Sequence, residues 1–170
     1  KIAIIGYSGS GKSTLANFLG QHYNCEVLHL DKIHFTSNWQ ERTVDEMTDD
    51  ISKCMLQKDW IIEGNYSTCL YEERMREADC IVYFNFNRFN CLYRAFRRYL
   101  KYKGQTRPSM AENCKEKFDF EFVKWILLDG HSQKNVTKFK VAVKKYPDKT
   151  IVLKNQKQLN NYMKKVKKLL

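Results

Sequence analysis

Hydrophobic positions in this chain follow two periods, and the switches between them outline the elements. Residues 1–5 are a short, mostly apolar run that breaks off in glycines, the pattern of a strand buried on both faces of a parallel sheet. Residues 12–23 then carry Leu15, Phe18 and Leu19 at helical spacing. A second apolar run at 25–30 predicts another strand, stopping at Asp31. Thr43 followed three residues later by Glu46 is a capping box. Behind it Val44, Met47, Ile51, Cys54 and Met55 share one helical face. Further strands are predicted at 60–62, 80–86 and 150–153. Between the last two lies a long helical stretch in three pieces, 89–103, 116–129 and 133–146, separated by residues 105–109 with Pro108 and by Gly130. A final helical stripe joins Leu159, Tyr162, Met163, Val166 and Leu170.

Strands alternating with helices imply right-handed crossovers, hence an α/β fold of three layers: a five-stranded parallel sheet with helices on both faces. A chain of 170 residues suits one domain, 1–170, in which about 89–146 reads as a helical, lid-like insert. Ligands of such sheets bind at the carboxyl ends of the strands. That rule gathers residues 6–13, Asp31, Glu63 and the segment after Phe86 into one neighbourhood.

The first of these segments carries recognisable chemistry. Gly6-Tyr7-Ser8-Gly9-Ser10-Gly11-Lys12-Ser13 fits the pattern G-x-x-x-x-G-K-[ST] in full and lies between a predicted strand and a predicted helix, the context that marks a phosphate-binding P-loop. Gly6, Gly9 and Gly11 let successive backbone N–H groups turn inward, and with Ser8, Ser10 and Thr14 they and the helix N-terminus cradle phosphate oxygens. Lys12 neutralises the β- and γ-phosphates and the Ser13 hydroxyl ligates magnesium. ATP and Mg2+ are therefore the expected ligands of a P-loop NTPase fold. An Asn-Lys-x-Asp guanine-reading motif is absent, which argues against a GTPase. Arg94, Arg97, Arg98 and Lys101 form an i, i+3, i+4, i+7 stripe, with Phe89, Leu92, Phe96 and Leu100 on another face. A clamp on transferring phosphate and a plain solvated basic face share that spacing.

Charge and cysteine placement add less. From residue 131 onward stand twelve lysines against one acid, Asp148, so this quarter holds the whole net charge of +11. It attracts polyanions weakly and non-specifically, and it equally suits a solvated face behind the last amphipathic helix. The six cysteines are widely spaced without a Cys-x-x-Cys pair, consistent with reduced thiols in a cytoplasmic protein; Cys25, Cys54 and Cys80 are expected on buried faces. No apolar run approaches the roughly 20 residues of a membrane span.

The order of elements resembles the adenylate-kinase-like family of nucleoside monophosphate kinases. Residues 2–14, 29–35, 60–66, 86–89 and 107–110 resemble more closely its bacterial DNA topology modulation proteins. The resemblance implies ATP-dependent transfer of the γ-phosphate to a small-molecule acceptor. It implies that Glu63 holds water on magnesium, that Asp31 meets the acceptor, and that Arg94 and Arg98 steady the phosphoryl group in flight. Taken alone, Glu63 also reads as a capping or loop glutamate and Asp31 as a helix N-cap. Arg88 and Arg107 are weaker candidates. Departures are equally plain: Asn65-Tyr66-Ser67 replaces the arginine that grips AMP, Lys32 and His34 stand where a second arginine is expected, and Lys134 and Lys138 stand in for the lid arginines. AMP is thereby disfavoured, and the acceptor stays unnamed. Trp39 and Tyr66 are candidates for stacking a base or sugar, or for plain packing. Residues 155–157 fall where such kinases pass the adenine ring. A second reading, resting on the lysine-rich C-terminal quarter and on the aromatics interleaved with basic residues at 93–102, is a nucleotide-gated, DNA-binding protein with weak or no kinase activity.

Overall fold

The computed structural model describes residues 1–168. Five strands, β1 Ile2–Gly6, β2 Val27–His29, β3 Ile61–Glu63, β4 Cys80–Phe84 and β5 Thr150–Leu153, form one sheet in the order β2-β3-β1-β4-β5. Every pairing is parallel, with Ile4 opposite Glu63 and Gly6 opposite Phe84. The helices are α1 Lys12–Tyr23, α2 Leu30–His34, α3 Val44–Met55, α4 Tyr71–Glu77, α5 Arg88–Tyr102, α6 Phe120–Leu127, α7 Gln133–Lys145 and α8 Gln156–Lys167. They lie on both faces of the sheet, giving the three-layer α/β architecture that the alternation of periods predicts. Among the described residues no helix is long and apolar enough to cross a membrane.

The core follows from the strand composition. Ala3, Ile4, Ile5, Ile62, Ile81, Val82 and Phe84 are fully buried in adjoining strands, and Leu15, Ala16 and Leu19 of α1 close over them. Fully burying an aliphatic side chain of this kind contributes roughly 1.5–3 kcal/mol. The capping box is formed: the Glu46 N–H donates to the Thr43 hydroxyl, and the Thr43 N–H donates to the Glu46 carboxylate at 2.9 Å. On α3, Met47, Ile51 and Met55 are buried, whereas Val44 is exposed.

Several boundaries differ from the sequence expectation. β2 covers three residues because Leu30 and Asp31 already belong to α2, so Asp31 stands in a first helical turn rather than at a strand end. β3 is displaced by one residue, to Ile61–Glu63, although the Trp60 carbonyl still accepts from Ile2 N–H. β4 ends at Phe84, two residues early. The predicted 116–129 helix shrinks to α6, with Asp119 capping its N-terminus, and residues 103–119 form an irregular strap pinned by bridges Lys103–Glu116 and Thr106–Lys115. Helix α4 was not foreseen; its buried face is Tyr71, Arg74 and Met75, which does not read as apolar.

Helix α5 turns its small residues inward. Cys91 and Ala95 are buried, while Phe89, Phe96 and Leu100 are 68%, 43% and 58% exposed. Of the large-residue face Leu92 alone packs against the core, and the helix meets the loop after β1 through its small residues because the approach is close. The cysteines shift similarly: Cys69, Cys91 and Cys114 are the buried ones, Cys25, Cys54 and Cys80 are partly exposed, and all six are free thiols. At the C-terminus Leu159 and Val166 are buried and Tyr162 and Met163 half-buried; Leu170 lies outside the described residues.

Candidate functional site

The loop from Gly6 to Ser13 sits at the carboxyl end of β1, the central strand, where the strand order reverses. Gly6 is fixed from both sides by Asn65: its N–H donates to Asn65 Oδ1 at 2.9 Å, and Asn65 Nδ2 donates to its carbonyl at 2.6 Å. Ser10 is buried and gives its hydroxyl to the Tyr7 carbonyl at 2.6 Å. Gly6 and Ser10 thus shape the loop, while Ser8, Gly9, Gly11, Lys12, Ser13 and Thr14 line the cavity above it. Gly9 has φ +78° and Gly11 φ +101°. A Cβ at Gly9 would strike the Cys91 carbonyl, and one at Gly11 would strike the Arg94 guanidinium. Gly9 needs glycine for conformation and for space, and Gly11 for its left-handed conformation.

Glu63 ends β3 directly beside this loop and is buried to 3% exposure. Its Oε2 accepts from Ser13 Oγ at 3.0 Å and lies 3.0 Å from His29 Nδ1, and its Oε1 lies 3.8 Å from Lys12 Nζ. Burial pushes the Glu63 carboxyl upward, but the His29 contact, the Lys12 charge and the Ser13 hydroxyl together hold it below its ordinary value. An ionised Glu63 offers only acceptors, so His29 carries its proton on Nδ1 toward it. The other ring nitrogen meets the Asn17 side chain at 2.8 Å.

Above these groups lie two adjoining cavities of about 900 and 930 Å³ that share Lys12, Asp31, Glu63, Arg98 and Arg107 as their common wall. The first is roofed by the α5 stripe, for Arg94, Arg97, Arg98 and Lys101 all face it. Arg94 hydrogen-bonds the Gln156 side chain at the start of α8 and lies over the Phe86 ring at 5.4 Å. Arg98 Nε donates to Glu116 Oε1 at 2.6 Å, and Arg107 Nε lies 3.2 Å from Glu116 Oε2. Burial, and Arg107 beside it, lower the proton affinity of Arg98, an effect that Glu116 partly offsets. Asp31 faces the wall from α2: Tyr66 donates its hydroxyl to Asp31 Oδ1 at 3.1 Å, and Arg107 Nη2 stands 3.8 Å from Oδ2. The second cavity continues past Phe35, Trp39, Tyr66 and Lys138.

Sequence reasoning brought the loop, Glu63, Asp31, Arg94 and Arg98 to one cleft, and the structure gathers them there. Arg107, a weaker candidate from the sequence, stands on the wall that both cavities share. Arg88 is spent on the fold, donating to the Leu127 carbonyl at 2.7 Å, and Lys134 lines neither cavity. Glu116, Asn65, His29 and Arg74 were missed. No motif flags them, since each acts on partners 8 to 59 residues away through a fold-dependent contact. Helix α6 and the turn after it touch the loop directly as well: Trp125 Nε1 donates to Ser8 Oγ at 3.3 Å, and His131 stacks on Tyr7 with centroids 3.8 Å apart.

No protein-family model matches the chain, and no curated protein matches it in sequence. Among solved structures it is similar to a gluconokinase from Sinorhizobium meliloti 1021, at 14% identity and TM-score 0.52 over 99% of this chain and 92% of that one. Shikimate kinase from Bacteroides thetaiotaomicron follows at 16% identity and TM-score 0.48, over 99% and 96% of the two chains. Deoxyadenosine kinase from M. mycoides gives 17% and 0.46, over 99% of each. The fold assignment rests on the first of these alone: the chain has the fold of the P-loop kinases.

Proposed function

We propose that this protein is an ATP-dependent phosphotransferase that moves the γ-phosphate of ATP to the hydroxyl of a small acceptor. The observation that carries the reading is the common wall, where Lys12, Arg98, Arg107 and the Asp31 carboxylate meet between two cavities, each large enough for one substrate. ATP suits the first cavity, its phosphates on the Gly9–Gly11 amides and Lys12 and its base toward Gln156. Ser13 Oγ and Glu63, 3.0 Å apart, are hard oxygen donors, and a magnesium ion that keeps several waters needs no larger protein cage. When bound, that ion neutralises charge on the β- and γ-oxygens. The acceptor occupies the second cavity with its hydroxyl at Asp31. Asp31 takes the hydroxyl proton as the acceptor oxygen bonds to phosphorus and the bond to the ADP oxygen breaks. Arg94 and Arg98 stabilise the charge spread over the equatorial oxygens, for which planar guanidinium donors suit better than ammonium.

A screen of nucleosides, nucleoside monophosphates, sugars and hydroxy acids with ATP and Mg2+, scored by ADP formation, tests the reading. ADP that depends on one acceptor class and disappears in Lys12→Ala supports it. Acceptor-independent phosphate release makes the protein an ATPase, and no turnover above the Lys12→Ala level sinks the reading. A nucleotide-gated DNA-binding role, as the resemblance to DNA topology modulation proteins suggests, is the second reading; the lysine-rich C-terminal quarter favours it.

A further inference from the structure

The second cavity is lined by Lys138, a cation for which the phosphoryl-transfer reading has no use, and a second cation, Arg74, is buried near it. Arg74 of α4 is fully buried, with Nη1 donating to the Gly64 carbonyl at 3.2 Å and Nη2 to the Tyr66 carbonyl at 2.7 Å, and no carboxylate pairs with it among the described residues. Lys138 of α7 is half-buried in the cavity wall, donates to the Asn65 carbonyl, and holds its ammonium 4.2 Å from the centroid of the Tyr71 ring. One of its three N–H groups is therefore used by protein and one side is shielded by a ring, which leaves donor capacity facing the cavity. The charged neighbours that bear on Lys138 are Arg74 and Lys134, both cations. Burial, with their repulsion, brings the Lys138 ammonium down to about 8. Lys138 has no carboxylate partner among the described residues, and a half-buried ammonium beside a second cation is costly, so in a ligand cavity a counter-charge arrives with the ligand.

We propose that Lys138, backed by Arg74, forms a subsite for an anionic group on the acceptor, a carboxylate or a phosphate monoester. This rests on the reading of the second cavity as the acceptor site. Lys138 lines the second cavity and not the first, so its role belongs to the acceptor and not to the triphosphate.

The test reads the amine itself rather than turnover. Full-length protein is acetylated briefly with an N-hydroxysuccinimide ester at pH 8, in sodium chloride, inorganic phosphate or malonate at matched ionic strength, and labelling of each lysine is followed by peptide mass spectrometry. An anion seated on Lys138 restores its proton and slows its acylation at least about fivefold, with the exposed Lys140 unchanged as internal control. Protection by phosphate alone assigns a phosphate monoester, by malonate alone a carboxylate. No protection by either overturns the proposal. As a second measurement, the anion that protects should raise the Tm of Lys12→Ala, which lacks the P-loop lysine, and leave the Tm of Lys12→Ala/Lys138→Gln unmoved; an equal rise in both also overturns it. The two readings fail separately: protection without any ADP formation leaves the subsite and removes the kinase, whereas turnover with uncharged acceptors and no protection does the reverse.

Discussion

Two arginines of one helix face the same cavity with different attachments, and this separates their expected roles. Arg94 is tied to Gln156 and lies over the open space beside Gly11, whereas Arg98 stands on the wall between the cavities, steered by Glu116. Removing a donor that acts only as charge develops costs about 10²–10³ in kcat and leaves substrate binding nearly intact. Arg98→Ala should therefore lower kcat by that order with KM for ATP changed less than about threefold. Arg94→Ala should raise KM for ATP as well, and steady-state kinetics with the acceptor found by screening checks both. Lys138 makes a different residue-scale prediction, about stability. Its folded value of about 8 lies below the unfolded 10.5, so between these limits the unfolded chain binds more protons and this group's contribution to stability rises with pH. Below about 8 both states hold the proton and the full cost of the buried charge persists. The buried Tyr66, Tyr71 and Tyr83 hydroxyls are shifted upward and work in the opposite direction, so only a difference isolates the lysine. Urea midpoints at pH 7.0 and 9.5 should show wild type gaining stability relative to Lys138→Met; a constant difference would refute the depressed value.

At the scale of elements, the strap 103–119 has its own small core. Met110, Ala111 and Cys114 bury themselves against Phe35 and Trp39, and Cys114 Sγ meets both the Trp39 N–H and the Thr36 carbonyl at 3.4 Å. These contacts join the strap to the segment after α2, so Arg107 is held over Asp31 by a satellite cluster detached from the main core. Elements of low local burial open independently of global unfolding. Met110→Ala should speed hydrogen exchange of amides in 106–116 about tenfold or more while β1 and β4 stay protected, and it should raise KM for the acceptor more than for ATP. Uniform acceleration across the sheet would mean that the strap is part of the global core. The strap also shows where the sequence was readable and where it was not. Strand β5 and helix α1 are found at their predicted bounds, because a buried strand or an amphipathic helix encodes its own period. The P-loop is legible for the same reason: strand, turn and helix are contiguous. Helix α4 hides because an arginine fills its core position, and α5 misleads because its packing surface is Cys91 and Ala95 rather than its large residues. The Glu116 bridge to Arg98 and Arg107 depends on an irregular segment without periodicity, which no local pattern encodes.

For the whole molecule, the uneven charge asks whether a polyanion is a partner or a bystander. Leu159 and Val166 turn α8 against the body of the protein, and Lys157, Lys164, Lys165, Lys167 and Lys168 all lie on its exposed side. Two other lysines of this quarter serve the fold: Lys145 pairs with Glu72 at 2.7 Å, and Lys149 donates to the Arg76 and Ala78 carbonyls at 2.6 and 2.7 Å. Lys138 lies half-buried in the second cavity, and the remaining lysines are exposed and form a solvated basic face, for which amphipathic helices are sufficient cause. Such a face binds duplex DNA through released counterions, with affinity that falls steeply as salt rises and no stronger than about 10⁻⁶ M at physiological salt. Fluorescence titrations across a salt series, with and without a non-hydrolysable ATP analogue, should show that weak, salt-steep binding unchanged by nucleotide, and Lys164→Gln/Lys165→Gln/Lys167→Gln/Lys168→Gln should reduce both affinity and slope. A dissociation constant near 10⁻⁸ M that appears only with the analogue would instead make DNA the functional partner, because generic charge attraction supplies neither that affinity nor a nucleotide gate.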